Sequence, residues 1–300
     1  LAFLAAWRLK LRACSISLYL YLSFRGRAIR RRYKNYLTQI FNGWILRGLK
    51  KRLMGSLFFS RIAKFPFLAK SILKHGPGIL PLFRKVKPFT MVSIERLENL
   101  YDLSIKAQRE KIPGSFVECG VWRGGCVGVM ASTARSNGRK IHLFDSFEGL
   151  PEPRKDVDGN YAVRYAEGGE KGNLTAIGKC VGPIDDVKKL LFEILELDPQ
   201  NFVFHQGWFQ ETLPVDAPSL GPIAILRVDG DWYESTKVCL DHLYDCVSDN
   251  GYIIIDDYGF WEGCKKAVDE FLAARGLKVE IKKIDHSGVW FRKPIHNATQ

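Results

Sequence analysis

Two short stretches carry much of the acidic chemistry of this chain. "AILRVDGDWYEST" (224–236) sets Asp229 and Asp231 two residues apart at the end of an apolar run, and "GYIIIDDYGF" (251–260) closes on Asp256 and Asp257. Oxygen-rich clusters with few His or Cys select hard cations such as Mg²⁺ or Ca²⁺. Four carboxylates sharing one place would repel one another without a cation or raised pKa values. If strand geometry persists through D-G-D, Asp229 and Asp231 point the same way. The expectation is metal ligation by Asp229 and at least one of Asp256 and Asp257, with helix capping as the plainer role for one or two of them. A divalent ion there could lower the pKa of a substrate hydroxyl. Asp231 is the candidate general base, its base and ligand roles staying open at this point.

A second constellation sits earlier. "FVECGVWRGG" (116–125) puts Glu118 at a strand end and Gly120, Gly124 and Gly125 ahead of a helix. The pattern is not G-x-G-x-x-G, and no G-x-x-x-x-G-K-[ST] occurs, so dinucleotide and nucleoside-triphosphate readings lose their best support. Asp145, ending "KIHLFDS" (140–146), is placed to accept from both hydroxyls of a ribose. A carboxylate on the first strand would repel a pyrophosphate but suits a cationic ligand. S-adenosylmethionine has a ribose, an ammonium group and a sulfonium, and no phosphate.

The elements that must position these groups follow from hydropathy. "TMVSIERLENLYDLSIKAQREKIPG" sets Ile94, Leu97, Tyr101 and Ile105 on one helical face and stops before Pro113-Gly114. Strand-like runs then alternate with helical ones: 115–120, 140–146, 201–207, 223–230 and 251–257 are strands, and 184–197, 233–248 and 261–275 are helices. Residues 278–293 read as a hairpin turning near His286-Ser287-Gly288. The expected fold is a doubly wound, Rossmann-like α/β sheet with a C-terminal antiparallel hairpin, in which ligands bind beyond the carboxyl ends of the strands. Glu118, Asp145 and all four aspartates sit at such ends. Residues 151–182 form a long polar insertion, expected to act as a lid.

"FVECGVWRGG", "FDSFEGLPEP", "HQGWFQETLP", "LRVDGDWYEST" and "IIIDDYGFWEGCKKAVDEF" resemble, in this order, the macrocin O-methyltransferase family, which methylates sugar hydroxyls of macrolides and related glycosides. The resemblance spans roughly residues 88–293. It implies an enzyme dependent on S-adenosylmethionine and Mg²⁺, with Asp229, Asp256 and Asp257 binding metal and Asp231 as base. It also implies a donor site lined by Glu118, Cys119, Gly120, Val121 and Trp122, by Asp145, Ser146, Phe147, Glu148 and Gly149, by Gly207 and Trp208, and by Thr90 and Met91. The acceptor would be a sugar hydroxyl of a glycoside, glycolipid or polysaccharide.

The charge of the chain divides it. Twenty Lys and Arg and no acidic residue precede Glu95, whereas the remaining 206 residues hold 25 basic and 32 acidic groups. Residues 1–87 are read as a basic, apolar and helical extension, and 88–297 as the methyltransferase domain. The longest uncharged run of that extension, Ala13 to Phe24, is twelve residues, short of the ~20 a span needs. Its Leu, Phe and Trp among Lys and Arg suit an anionic membrane surface; an oligomer contact is the alternative, and no nucleic-acid-reading module is present. The seven cysteines form no C-x-x-C pair and read as reduced thiols of a cytoplasmic protein, peripheral at the membrane through the basic front. Two rivals remain at this stage: a metal-dependent glycosyltransferase using D-G-D, and a non-catalytic membrane or nucleic-acid adaptor.

Overall fold

The computed structural model describes residues 78–295 and, ahead of them, Ser71 and residues 74–76. The basic front up to residue 70, on which the membrane-surface and oligomer-contact readings rest, lies outside the described residues. Helices α1 (Ile79–Val86) and α2 (Ile94–Arg109) lead into strand β1 (Ser115–Cys119). Then come α3 (Gly125–Ala134), β2 (Ile141–Asp145), α4 (Lys155–Tyr165), and α5 (Ile184–Lys188), which runs on as a π-helical turn over Lys189–Ile194, before β3 (Phe202–Gln206). The second half holds α6 (Phe209–Asp216), β4 (Ile223–Val228), α7 (Tyr233–Leu243), β5 (Val247–Ile255), α8 (Glu262–Ala274), β6 (Lys282–Lys283) and β7 (Val289–Arg292).

Among the described residues, seven strands form one sheet in the order β3-β2-β1-β4-β5-β7-β6. β1 to β5 run parallel, while β7 is antiparallel to β5 and to β6. This is the expected doubly wound sheet with its terminal hairpin. The order reverses between β1 and β4, which opens a crevice at their carboxyl ends.

Side chains alternate faces along each strand, and the sheet is greasy on both. Phe116, Ile225 and Ile254 join one core layer with Leu97 and Leu103 of α2 and Met130 of α3. Val117, Leu226, Ile253 and Ile255 join the other, with Leu240 of α7 and Val268 of α8. The same period of two puts Glu118, Arg227 and Asp256 on the first face, on three neighbouring strands. Although α1 precedes the change in composition at residue 88, it buries Ile79, Phe83 and Val86 in that first layer.

Three local expectations shift. Helix α2 is capped by Ser93, whose Oγ accepts from Arg96 N at 3.1 Å, but its deepest face is Leu97, Leu100, Leu103 and Ala107. Ile94, Tyr101 and Ile105 flank that face half-buried. Helix α7 ends at Leu243, five residues before the expected 248, because the ladder to β4 has begun by then: Ile223 N donates to Cys246 O at 2.8 Å, and Val247 pairs with Ile223. The insertion 151–182 is not a bare loop. It contains α4, bent at Gly159 (φ +77°), and its buried Asp158 accepts from Arg154 N at 2.8 Å and from Tyr233 N at 2.7 Å. A Cβ on Gly263 would stand 1.8 Å from that carboxylate, so only glycine lets α8 approach it.

His142 and His205 pair across β2 and β3, the first buried and the second half-buried. His205 Nδ1 lies 2.7 Å from Asp216 Oδ2, and its Nε2 lies 3.0 Å from His142 Nδ1. Burial, reinforced by His205, pushes His142 down to about 4 from 6.5. A histidine depressed in the fold contributes stability that is complete above pH 6.5 and is lost as pH falls toward about 4, since only the unfolded chain takes the proton in that window. Urea denaturation of His142→Gln beside the wild type is expected to show a flatter stability profile between those limits.

Candidate active site

The crevice is organised by Arg227, which interrupts the apolar run of β4. Its register partner on β1 is Glu118, and both are inside the protein, Arg227 only 2% exposed and Glu118 fully buried. A charge so placed must be paired. Arg227 Nη1 donates to Glu118 Oε1 and, at 2.8 Å, to Asp229 Oδ2, while Nη2 donates to Asp256 Oδ1 at 2.6 Å. Arg96 of α2 donates to the other oxygen of Asp256 and, through Nε at 2.8 Å, to Asp285 Oδ2 in the hairpin turn. Asp285 also accepts from Ser93 Oγ at 2.8 Å and from the backbone N–H groups of Ser287 and Gly288, and these bonds, with burial opposing them, hold it down to about 2.

Beyond this chain of charges Asp229, Asp231 and Asp257 converge, with one carboxylate oxygen of each within 4.8 Å of the others. Asp256, expected among the ligands, is not in this group, because both its oxygens are taken by guanidinium groups. The strand geometry expected to align Asp229 with Asp231 also stops early. β4 ends at Val228, and Asp231 turns in the left-handed region at φ +56°, a conformation Asp tolerates better than most residues. The loop, not the pleat, brings the two together. Trp261 Nε1 donates to Asp231 Oδ1 at 2.7 Å.

Two guanidinium groups thus face six carboxylates. Desolvation, with Asp229 second, pushes Asp231 up to about 7, and desolvation, with Asp231 second, drives Asp257 well above the usual carboxylate range. Asp257 Oδ2 is buried without a hydrogen-bond partner. Three converging carboxylates, one of them with an unpartnered buried oxygen, fit a hard divalent cation, for which Asp229, Asp231 and Asp257 are the available donors.

The Gly-rich turn lies alongside. Asp229 N donates to Cys119 O at 2.8 Å, and a Cβ on Gly120 (φ +89°) would fall 1.8 Å from Asp229 O. Asp145 is more heavily used than a ribose acceptor should be. One oxygen accepts from Val121 N at 2.6 Å and Trp122 N at 2.9 Å, the other from Phe147 N at 2.7 Å. A carboxylate offers about four acceptor positions, so at most one is left for a hydroxyl, not two. Glu118 Oε2, by contrast, is buried and unpartnered.

The remaining sequence-derived residues fall around this turn. Trp122 (φ +48°) and Phe147 (φ +59°) both stand in left-handed backbone, and Trp122 Nε1 reaches Val181 O at 3.1 Å. Ser146 Oγ donates to Gly149 O at 3.1 Å and accepts from Glu148 N. Gly207 N donates to Asp145 O at 3.0 Å, placing Gly207 and Trp208 at the next strand end. Thr90 leans on the start of α3, 2.6 Å from where a Cβ on Gly125 would be, and Met91 beside it is 61% exposed. Cys119 offers only backbone, since its side chain belongs to the opposite core layer. Trp232, next to D-G-D, is buried with its indole N–H on Pro151 O at 2.9 Å. The sequence reading missed Arg227 and Arg96. The signal for Arg227 was a lone arginine in a run otherwise buried on both faces; Arg96 carried none.

Comparison with known proteins adds to this geometry. The family model described as "Macrocin-O-methyltransferase (TylF)" matches residues 84–293. The chain is 36% identical over 207 residues to the demethyldecarbamoylnovobiocin O-methyltransferase of Streptomyces niveus, spanning 68% of this chain and 75% of that one. It is 37% identical over 213 residues to the 8-demethyl-8-(2,3-dimethoxy-alpha-L-rhamnosyl)-tetracenomycin-C 4'-O-methyltransferase of Streptomyces olivaceus, 70% of this chain and 77% of that one. The solved O-methyltransferase NovP superposes with a TM-score of 0.60 at 33% identity, covering 69% of this chain and 82% of its own.

Removing one member of a buried charge network leaves the others uncompensated, at a cost of about 3–5 kcal/mol. Arg227→Met is expected to lower unfolding stability by that order in urea, and the double variant with Asp256→Asn to recover part of the loss.

Proposed function

Because the chain belongs to the macrocin O-methyltransferase family and is an O-methyltransferase, we propose that it moves the methyl group of S-adenosylmethionine to a sugar hydroxyl of a glycoside, glycolipid or polysaccharide, with Mg²⁺ bound. The observation that carries this reading is the convergence of Asp229, Asp231 and Asp257 beside the Gly-rich turn, Asp257 having one buried oxygen without a partner. Asp229 and Asp257 would hold the cation, with Asp231 facing it. A divalent ion held there would polarise the acceptor hydroxyl and lower its pKa. Asp256 we assign to fixing Arg227 and Arg96 instead.

In this reading Asp231, steadied by the Trp261 indole, takes the hydroxyl proton. The oxygen forms its bond to the methyl carbon, and the carbon–sulfur pair returns to sulfur, leaving S-adenosylhomocysteine. Glu118 Oε2 accepts from the donor, and the turn 118–122 and residues 145–149 enclose it. Positioning supplies much of the rate. The catalytic domain begins ahead of the expected residue 88, since α1 packs in its core, and 151–182 would be its lid. D-G-D as a nucleotide-sugar diphosphate clamp gains no support, since Asp257 joins Asp229 and Asp231 and that clamp has no use for it.

No helix among the described residues is long and apolar enough to cross a membrane. The twenty basic and no acidic residues before Glu95 support a chain that rests on an anionic bilayer and meets a lipid-linked or membrane-near acceptor. The full chain is expected to sediment with phosphatidylglycerol vesicles and not with phosphatidylcholine vesicles, and to be released by high salt. Equal sedimentation with both would remove that contact.

Asp231→Asn keeps both the tolerance for left-handed backbone and the acceptor for Trp261. It is expected to bind S-adenosylhomocysteine like the wild type in titration calorimetry while losing about 10²–10⁴ in methyl transfer. Glu118→Gln is expected to weaken that binding. Undiminished turnover in Asp231→Asn would overturn the base assignment. A folded wild type that bound no S-adenosylhomocysteine would overturn the methyl-transfer reading itself.

A further inference from the structure

Asp231 stands at the foot of an aromatic group that its role as a base does not require. Trp232 and Trp261 are buried and meet edge to face at 4.7 Å. Around Trp261 lie Tyr161 at 5.2 Å, Tyr165 at 5.4 Å and Phe260 at 4.8 Å, and Tyr161 meets Phe260 at 6.0 Å. The two tryptophans are core, yet the outer rings stand in water: Phe260 is 47% exposed, Tyr161 49% and Tyr165 36%. Single exposed aromatics are ordinary. Three contiguous ones, joined by one buried indole to a carboxylate, form a patch with a direction.

The patch is also held in place. Tyr161 follows the bend at Gly159 and the clamp of Asp158 on Tyr233 N, and Phe260 N donates to Asp257 O at 3.0 Å. Tyr165 is engaged elsewhere, its hydroxyl 3.8 Å from Cys180 Sγ and its ring under Lys179. That leaves Tyr161 and Phe260, whose planes cross at 75°. Crossed rings make a corner rather than a slot. A flat aromatic acceptor would need parallel faces; a puckered ring with C–H bonds pointing both down and sideways fills a corner. Aromatic faces are electronegative and attract the weakly positive hydrogens of such a ring.

We propose that Tyr161 and Phe260 form the acceptor platform, on which the C–H-bearing face of a pyranose ring packs while one of its hydroxyls is presented to Asp231. The assignment rests on the methyl-transfer reading above and adds the element that selects a sugar. It makes Tyr161 and Phe260 binding residues for the acceptor, without contact to the donor.

The test uses the full chain with Mg²⁺, S-adenosylhomocysteine and methyl α-L-rhamnopyranoside as the probe. Saturation-transfer NMR, irradiating the protein's aromatic protons, is expected to saturate the ring C–H protons of the probe in the wild type and to lose that signal in Tyr161→Ala and Phe260→Ala. With labelled S-adenosylmethionine, either variant is expected to raise the probe's KM about tenfold, the size of one lost ring contact, with the donor's KM unchanged. Tyr161→Phe and Phe260→Tyr should behave as wild type. Circular dichroism checks that each variant is folded, which the exposure of both side chains favours. Unchanged KM and saturation in both alanine variants would overturn the platform and leave methyl transfer standing. So would a wild type that bound S-adenosylhomocysteine and methylated a catechol but showed no contact with the rhamnoside.

Discussion

A guanidinium group enclosed between neighbouring strands has no water to share its charge, so the surrounding residues must. Arg227 meets that demand with Glu118 on one side, Asp256 on the other and Asp229 ahead of it. Each of these carboxylates ends, or nearly ends, a different strand. The ion pairs therefore fix how the ends of β1, β4 and β5 lie relative to one another, and with them the turn that begins at Gly120 and the loop that carries Asp231. Such a network adds little net stability, because desolvation offsets the attraction. What it contributes here is position.

The same network sorts the four aspartates. Asp256 is spent on two arginines, and Asp257, next to it in the bend beyond β5, is left without a partner for one oxygen. A D-D pair at a strand end can thus commit one carboxylate to the ion-pair network and leave its neighbour outside it. Asp231 is separated from both by leaving the strand altogether, through a backbone turn that brings it under the Trp261 indole.

Much of this was legible in the residues. The doubly wound sheet followed from apolar runs alternating with amphipathic ones, and every acidic group singled out did lie at a carboxyl end of a strand. The charge pairing was harder to see. Alternation along "IAILRVDG" already put Arg227 on the face of Asp229, but its partners sit on strands more than a hundred residues earlier and some thirty later, and no local pattern connects them. Taking D-G-D as extended strand missed that Asp231 has positive φ, a choice made by tertiary contacts. Asp145 looked like a ribose acceptor because strand ends of this type often serve so; three backbone donors from two loops, none visible as a motif, claim it first. The insertion read as polar from its composition, and only its burial shows that Asp158 turns it into a packed element.

The salt-bridge chain from Glu118 through Arg227, Asp256 and Arg96 to Asp285 has a consequence for the order in which a ribosome delivers this domain. Arg96 emerges near its beginning and Asp285 near its end, and β7, which inserts between β5 and β6, follows later still. Until those last residues are made, Asp256 can have Arg227 and Arg96, but Arg96 lacks its second carboxylate. The emerging domain can bring together the charges of β1, β4 and β5 first, and the tie from α2 to the hairpin turn is the last to close.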